Sequence, residues 1–336
     1  MQLISLSILL LGLVACDPDK PNTNGNHTNT TTVPSEPVKV PAFDGKSAYD
    51  FVQKQVDFGP RVPNTEPHKK CAAWLQEQFQ GFGAEVIMQN AMIDGPKGDK
   101  INMTNIIASY NPAHTHRVLL CAHWDTRSVA DEDTVRQDEP ILGADDGGSG
   151  VGVLLEIARL ISTNPIDMGI DIVLFDVEDQ GIRQTKGLVA KRETWCLGSQ
   201  YWANHLHKEG YKAKFGILLD MVGSTGARFP KEGISIKFAA RYVDQVWNEA
   251  LNLGYSDLFV QGKDNRQITD DHFFVNQIAK IPTLDIINLP ENTNQAFGHY
   301  WHTHQDNMSV ISPHTLHAVG SVLTNVIYKE AAKHDR

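Results

Sequence analysis

Ile170-Asp171-Ile172-Val173-Leu174-Phe175-Asp176-Val177-Glu178-Asp179 joins an apolar run to a cluster of acids. The first six residues are mostly β-branched or large and apolar, the pattern of a strand buried on both faces of a parallel sheet. Asp176 closes the strand, so Glu178 and Asp179 emerge beyond its carboxyl end. In an open α/β sheet that edge is where ligands bind. A Glu-Asp pair taken alone is commonly solvated loop charge. Its meaning therefore depends on what the rest of the chain brings to the same edge.

Several segments bring comparable chemistry. Arg117 to Ala122 read as a second buried strand that delivers His123-Trp124-Asp125, an imidazole with an acid two residues on that can orient it at a metal; a His capping a loop is the plainer alternative. Gly143-Ala144-Asp145-Asp146-Gly147-Gly148-Ser149-Gly150 pairs flexible glycines with hard carboxylate oxygens. It opens a helix in which Leu154, Ile157, Ala158 and Ile161 share one face. Two carboxylates in that turn would repel a phosphate, and no Gly-Lys-Ser/Thr occurs, so a nucleotide loop is excluded. Phe215 to Asp220 repeat the design of an apolar strand ending in an acid. Asp270-Asp271-His272 opens a helix whose free amides one of the two acids can cap. A loop after Ile281 to Asn288 holds Phe297, Trp301, His302 and Asp306.

The supporting elements are legible around these. Pro67 to Phe82 show helical spacing ended by Gly81 and Gly83, Ile101 to Tyr110 read as a strand, and Ser312-Pro313 start a terminal helix facing inward through Leu316, Val319, Leu323, Val326 and Ile327. Residues 180 to 200, with Arg183, Lys186, Lys191, Arg192 and Trp195, exceed an ordinary connection and read as a loop over the site.

At 336 residues, 41% of them hydrophobic, the chain can bury one large core. A formal charge of −10, with scattered Lys and Arg, gives no footprint for nucleic acid. Met1 to Ala15 form an apolar segment too short to span a bilayer, ending in Leu13-Val14-Ala15-Cys16, which resembles the lipobox of bacterial lipoprotein signals. Residues 1–16 thus read as an export signal with Cys16 as the lipidated residue, although the segment lacks Lys or Arg at its start. An ordinary cleaved signal is the alternative. Residues 17–42, rich in Asn, Thr and Pro, read as a flexible tether, and 43–336 as a single catalytic domain. The expected location is the periplasm, on a membrane through the lipid alone. Cys71, Cys121 and Cys196 lack zinc-site spacing and allow at most one disulfide.

Taken together, His123, Asp146, Glu178, Asp179, Asp220 and His302 place more acids on one sheet edge than a buried site tolerates without a cation. Imidazole and carboxylates without thiolate suit a catalytic zinc. In this order HWD, GADDGGSG, DVED, LLD and WHT resemble the zinc-dependent aminopeptidase superfamily. The details, over about Phe43 to the C-terminus, look most like its glutaminyl cyclase branch, the glutaminyl-peptide cyclotransferases. The resemblance implies an α/β fold, a three-layer α/β/α sandwich around a mixed, largely parallel sheet. It implies one zinc on Asp146, Asp179 and His302, with Asp179 standing where many relatives have Glu. His123 and Asp220 match positions that hold a second zinc in two-zinc aminopeptidases. The branch is favoured by Trp301 before His302 and by Asp270 before Asp271-His272. On that reading Glu178 carries a proton, Asp220 and Asp270 assist it, Trp301 and Trp195 wall a substrate pocket, and an N-terminal glutamine becomes pyroglutamate with release of ammonia. An aminopeptidase using the same residues is the alternative, and a non-catalytic binding domain is a third possibility.

Overall fold

Each apolar strand alternates its side chains between two separate cores, which is what burial on both faces requires. The computed structural model describes residues 38–182, 191–291 and 297–333. The lipobox, Cys16, most of the tether, Arg183 and Lys186 lie outside the described residues. The main sheet has six strands: β1 (Glu85–Asp94), β2 (Lys100–Tyr110), β3 (Arg117–His123), β4 (Gly169–Phe175), β5 (Gly216–Asp220) and β8 (Thr283–Ile287), in the order β1-β2-β4-β3-β5-β8. β4, β3, β5 and β8 run parallel, while β1 and β2 pair antiparallel at one side. In β3 and β4, Val118, Leu120, Ala122, Ile170, Ile172 and Leu174 face the larger core, whereas Leu119, Cys121, Val173 and Phe175 face the smaller one.

Helices cover both faces. α1 (Gly45–Asp57), α2 (Glu66–Gly81), α3 (Gly148–Thr163), α5 (Gly233–Asn252) and α7 (Pro313–Ala331) contribute to the larger core, and Trp202 and Ala203 of α4 (Leu197–Asn204) to the smaller. The one charged residue inside the β4 run, Asp171, is neutralised where it lies. Arg117 donates to it from Nε and Nη2 at 2.7 and 2.6 Å, and the Tyr211 hydroxyl donates at 2.8 Å.

Four features differ from the sequence reading. α3 is buried almost all round, not along one stripe, because it lies between the sheet and α1 and α7. In the described part of the 180 to 200 segment, Arg192–Thr194 form a short turn of helix and α4 follows from Leu197, packed so closely that a Cβ added at Gly198 would lie 2.0 Å from the Asp176 carbonyl oxygen. β1, α5 and the small sheet of β6 (Phe229–Lys231) with β7 (Phe259–Lys263) had no expected counterpart. Val38 and Val40, within the expected tether, pack against the core. Among the described residues, no helix is long and apolar enough to cross a membrane, and Cys71, Cys121 and Cys196 are free and buried.

Candidate metal centre and active site

The carboxyl end of the parallel strands carries the site because each strand stops on, or just before, a polar residue. His123 ends β3, Asp220 ends β5, and Asp176 follows β4. The Asp176 carboxylate accepts from the amides of Thr104 and Val177 at 2.7 and 2.9 Å and faces His68 Nε2 at 2.9 Å. Thus anchored, the chain turns at Val177, whose φ of 56° is left-handed and strained for a β-branched residue. The next two residues, Glu178 and Asp179, are then held by Asp125, which accepts from their amides at 3.0 and 3.3 Å and from Gln180 Nε2 at 3.1 Å. Asp125 Oδ1 also lies 3.5 Å from His123 Nδ1, so the acid of His-x-Asp orients both the imidazole and the Glu-Asp turn.

The glycine-rich turn separates its two acids by function. Asp145 is taken up structurally: it accepts from the Gly223 amide at 2.7 Å and from the Tyr300 hydroxyl. Asp306 accepts from the Asp145 and Asp146 amides at 2.7 and 3.1 Å, fixing the turn from below. Asp146 is left to face inward. Its Oδ2 lies 3.7 Å from His302 Nε2, and Asp179 Oδ1 lies 3.0 Å from the same nitrogen. Ligand atoms of Asp146, Asp179 and His302 all fall within 4.8 Å of one another, as do those of His123, Asp146 and Asp220, so Asp146 belongs to both groups.

The donors fit zinc. Asp179 Oδ2 is buried with no hydrogen-bond partner, and so are Asp220 Oδ1 and both His123 nitrogens. Behind His302, Asp131 Oδ1 lies 3.3 Å from Nδ1, the carboxylate placement that fixes a ligating imidazole. Arg127 holds Asp131 through Nε and Nη2 at 2.8 and 2.7 Å and donates to the Asp179 carbonyl at 2.6 Å. The protonation balance shows the same demand for a cation. Burial pushes the Asp179 carboxyl up, as does Asp146 beside it, against the pull of His302. Burial lowers the His302 imidazole, but Asp179 and Asp131 outweigh it and its pKa is pushed up to about 9. A metal bound here would compete with protons for the same groups.

Beside this centre opens a cavity of about 810 Å³, lined among others by Glu178, Asp220, Asp270, Trp195 and Trp301. Glu178 is half-buried. Burial, then the charges of Asp270 and Asp179, hold its carboxyl well above the usual range, with His123 opposing. Asp220 is likewise pushed well up by burial and by Asp270. Asp270 starts the short helix α6 (Asp271–Phe274), accepting from the Asp271 amide at 2.5 Å, while its Oδ2 remains unbonded. Trp301 stacks on His302 at 3.7 Å, and Trp195 lies 6.2 Å from the same ring, nearly parallel. All eight residues singled out with Asp146 as ligands, acids or walls therefore meet at one place, except that His123 lies behind the cavity and not on its lining.

Sequence reasoning missed four participants. Arg127 and Asp131 form an i,i+4 charged pair just after His-Trp-Asp, a spacing that was open to notice. Tyr300 adjoins the aromatic ligand loop. Cys196, whose thiol donates to Glu178 Oε1 at 3.0 Å, carries no sequence signal, because a left-handed turn brings it back across 18 residues.

The model of Peptidase family M28 matches residues 105–327. Among solved structures, Bacteroides thetaiotaomicron glutaminyl cyclase bound to N-acetylhistamine is 48% identical, covers 86% of this chain and 99% of its own, and superposes with a TM-score of 0.84. Tannerella forsythia glutaminyl cyclase is 50% identical with the same coverages and a TM-score of 0.83. A Zn-dependent exopeptidase from Parabacteroides distasonis is 46% identical, again over 86% and 99%, with a TM-score of 0.84. The chain spans 33% and 45% of the length of the first two curated relatives it matches.

Proposed function

Since the chain belongs to peptidase family M28, we propose that it is a zinc-dependent glutaminyl-peptide cyclotransferase that closes an N-terminal glutamine to pyroglutamate and releases ammonia. The observation that carries this over hydrolysis is Trp301 stacked on His302, a flat wall that folds a glutamine side chain back toward its own amine. Asp146, Asp179 and His302 would hold one zinc, which would supply Lewis acidity at the reacting carbonyl.

The remaining work falls to the chain's own groups. Glu178 takes a proton from the substrate's α-amine and delivers it to the departing nitrogen, a task suited to a carboxyl that burial holds well above its usual range. Asp220 and Asp270, two acids facing one cavity, share a proton between them and hold the amine and the leaving group by hydrogen bonds. Cys196 steadies Glu178. Trp195, on the same lining as Trp301, and the buried surroundings exclude water that would divert the reaction.

Hydrolysis of the first peptide bond is the second reading. It is favoured by the compact His123, Asp146 and Asp220 group, which offers a second metal its donors. Protein beginning at Val38, incubated with a glutaminyl peptide and followed by mass spectrometry with metal analysis, separates the two. Ammonia loss from an intact peptide supports the cyclase; free glutamine makes the chain an aminopeptidase.

The substrates in this reading are exported peptides and proteins with N-terminal glutamine, and the chain is a periplasmic lipoprotein anchored through Cys16. The lipobox-like stretch and the polar segment after it support that location, and the net charge of −10 speaks against nucleic-acid partners. Cys16→Ser is expected to move the protein from the membrane fraction to the soluble one.

A further inference from the structure

The cavity is charged unevenly. Its floor is acidic, through Glu178, Asp220 and Asp270, and suits the ammonium of a peptide's amino terminus. Among the described lining residues the only lysine or arginine is Arg192, at the exposed mouth. It is held in place from two sides. Nε donates to Thr269 Oγ1 at 2.9 Å, and the guanidinium lies over the Phe273 ring with Cζ 4.3 Å from its centre. Its two Nη groups carry no hydrogen bond among the described residues. Arg127, the other guanidinium of this region, is by contrast consumed by Asp131 and by main-chain carbonyls.

Resting on the reading that the N-terminal residue sits at the metal centre, we propose that Arg192 forms a carboxylate subsite for the residue that follows it. Peptides with Asp or Glu in second position are then the preferred substrates. The placement supports this. Thr269, which anchors Arg192, immediately precedes Asp270, which helps hold the amine, and all three line the one cavity. A planar guanidinium with its stem fixed and both outer nitrogens free is arranged for two-point binding of a carboxylate. Glu193 also lines the mouth and opposes the preference by charge.

The test compares kcat/KM of the zinc-loaded full chain on three peptides that differ only in having Glu, Ala or Lys after the N-terminal glutamine. An exposed ion pair gains up to about fivefold for Glu, and repulsion of Lys widens the Glu-to-Lys ratio to about tenfold. Arg192→Ala should bring that ratio close to one, with the loss falling on KM. Arg192→Lys should land between, since it keeps the charge and loses the fork, and Glu193→Gln should raise the ratio. Added salt should narrow it in the unaltered chain. An equal ratio in the unaltered chain and in Arg192→Ala, with both proteins folded by circular dichroism, overturns the subsite. Because cyclisation and hydrolysis both start from this cavity, free glutamine released with the ratio intact overturns the cyclase reading and supports the subsite. Absence of either product overturns both.

Discussion

Glu178 is the residue on which the chemistry turns, and its surroundings say how it can be tested cleanly. The side chain faces the cavity, while its main chain is held by Asp125 and its neighbour Asp179 belongs to the metal group. Glu178→Gln keeps the size and the backbone contacts and removes only proton transfer. We expect kcat to fall by about three orders of magnitude with zinc content unchanged. Turnover within tenfold of the unaltered protein would remove Glu178 from its role. That imidazoles and acids gather at one sheet edge was legible in the residues, whereas the ligand set Asp146, Asp179 and His302 was implied by the family resemblance. Within the turn the residues alone left Asp145 and Asp146 open and the resemblance pointed to Asp146; the physical reason is the Gly223 amide and the Tyr300 hydroxyl, both far away in sequence, which engage Asp145. The contact of Cys196 with Glu178 was hidden for the same reason, since it is made by backbone turning and not by spacing.

At the scale of elements, the parallel strands and the capped helices were readable because continuous apolar runs, Ser312-Pro313 and paired glycines are local signals. β1 was not, since as an edge strand its side chains alternate between half-buried and exposed and its run EVIMQNAMID lacks a clear apolar face. Packing between elements is also invisible in a motif, and Gly150 shows what it costs to alter. A Cβ at that position of α3 would lie 2.4 Å from the Leu219 carbonyl oxygen of β5 and 3.0 Å from the Ala122 side chain of β3. Backbone cannot yield there, and the residues next to those two are Asp220 and His123. Gly150→Ala should therefore destabilise the fold by about 3 kcal/mol in urea titration and weaken metal retention as well. A change under 0.5 kcal/mol would show that α3 can move off the sheet. The far end of α7 offers a test with pH. Burial pushes the Glu330 carboxyl up, but bonds from Lys214 and Lys333 outweigh it and hold it below the ordinary value. A carboxyl depressed in the folded state stabilises above the unfolded value of about 4.3, and that contribution is lost as pH falls through the folded value. Glu330→Gln should cost about 1 kcal/mol at pH 7, with the difference shrinking on acidification below that point; a difference independent of pH would mean the ion pairs contribute nothing.

For the whole molecule the governing quantity is charge brought to one edge of the sheet. Asp146, Asp179, Asp220, Asp270 and the half-buried Glu178 converge there, and among the described residues the imidazoles of His123 and His302 stand among them, with His272 beside Asp270, Arg192 at the mouth and Arg127 behind. The fold delivers these groups because every parallel strand ends on the same side, so the repulsion cannot be relieved without unfolding the sheet edge. Burial and mutual repulsion push the carboxyls of Asp179, Asp220 and Glu178 up, and the nearby acids raise both imidazoles, so without a metal this edge favours bound protons. Zinc binding replaces those protons, so the stabilisation it brings must depend on pH with a definite sign. At a free concentration one hundred times its Kd, zinc should stabilise by about 2.7 kcal/mol, which for a domain of this size raises Tm by about 4 °C. Lowering the pH from 7.5 to 5.5 makes protons better competitors for His302 and the carboxylates, so the gap between zinc-loaded and chelated protein should narrow. Calorimetry of both forms at the two pH values reads this directly. A gap that widens on acidification, or no gap at either pH, would mean that the acids are neutralised by something other than a metal at this edge.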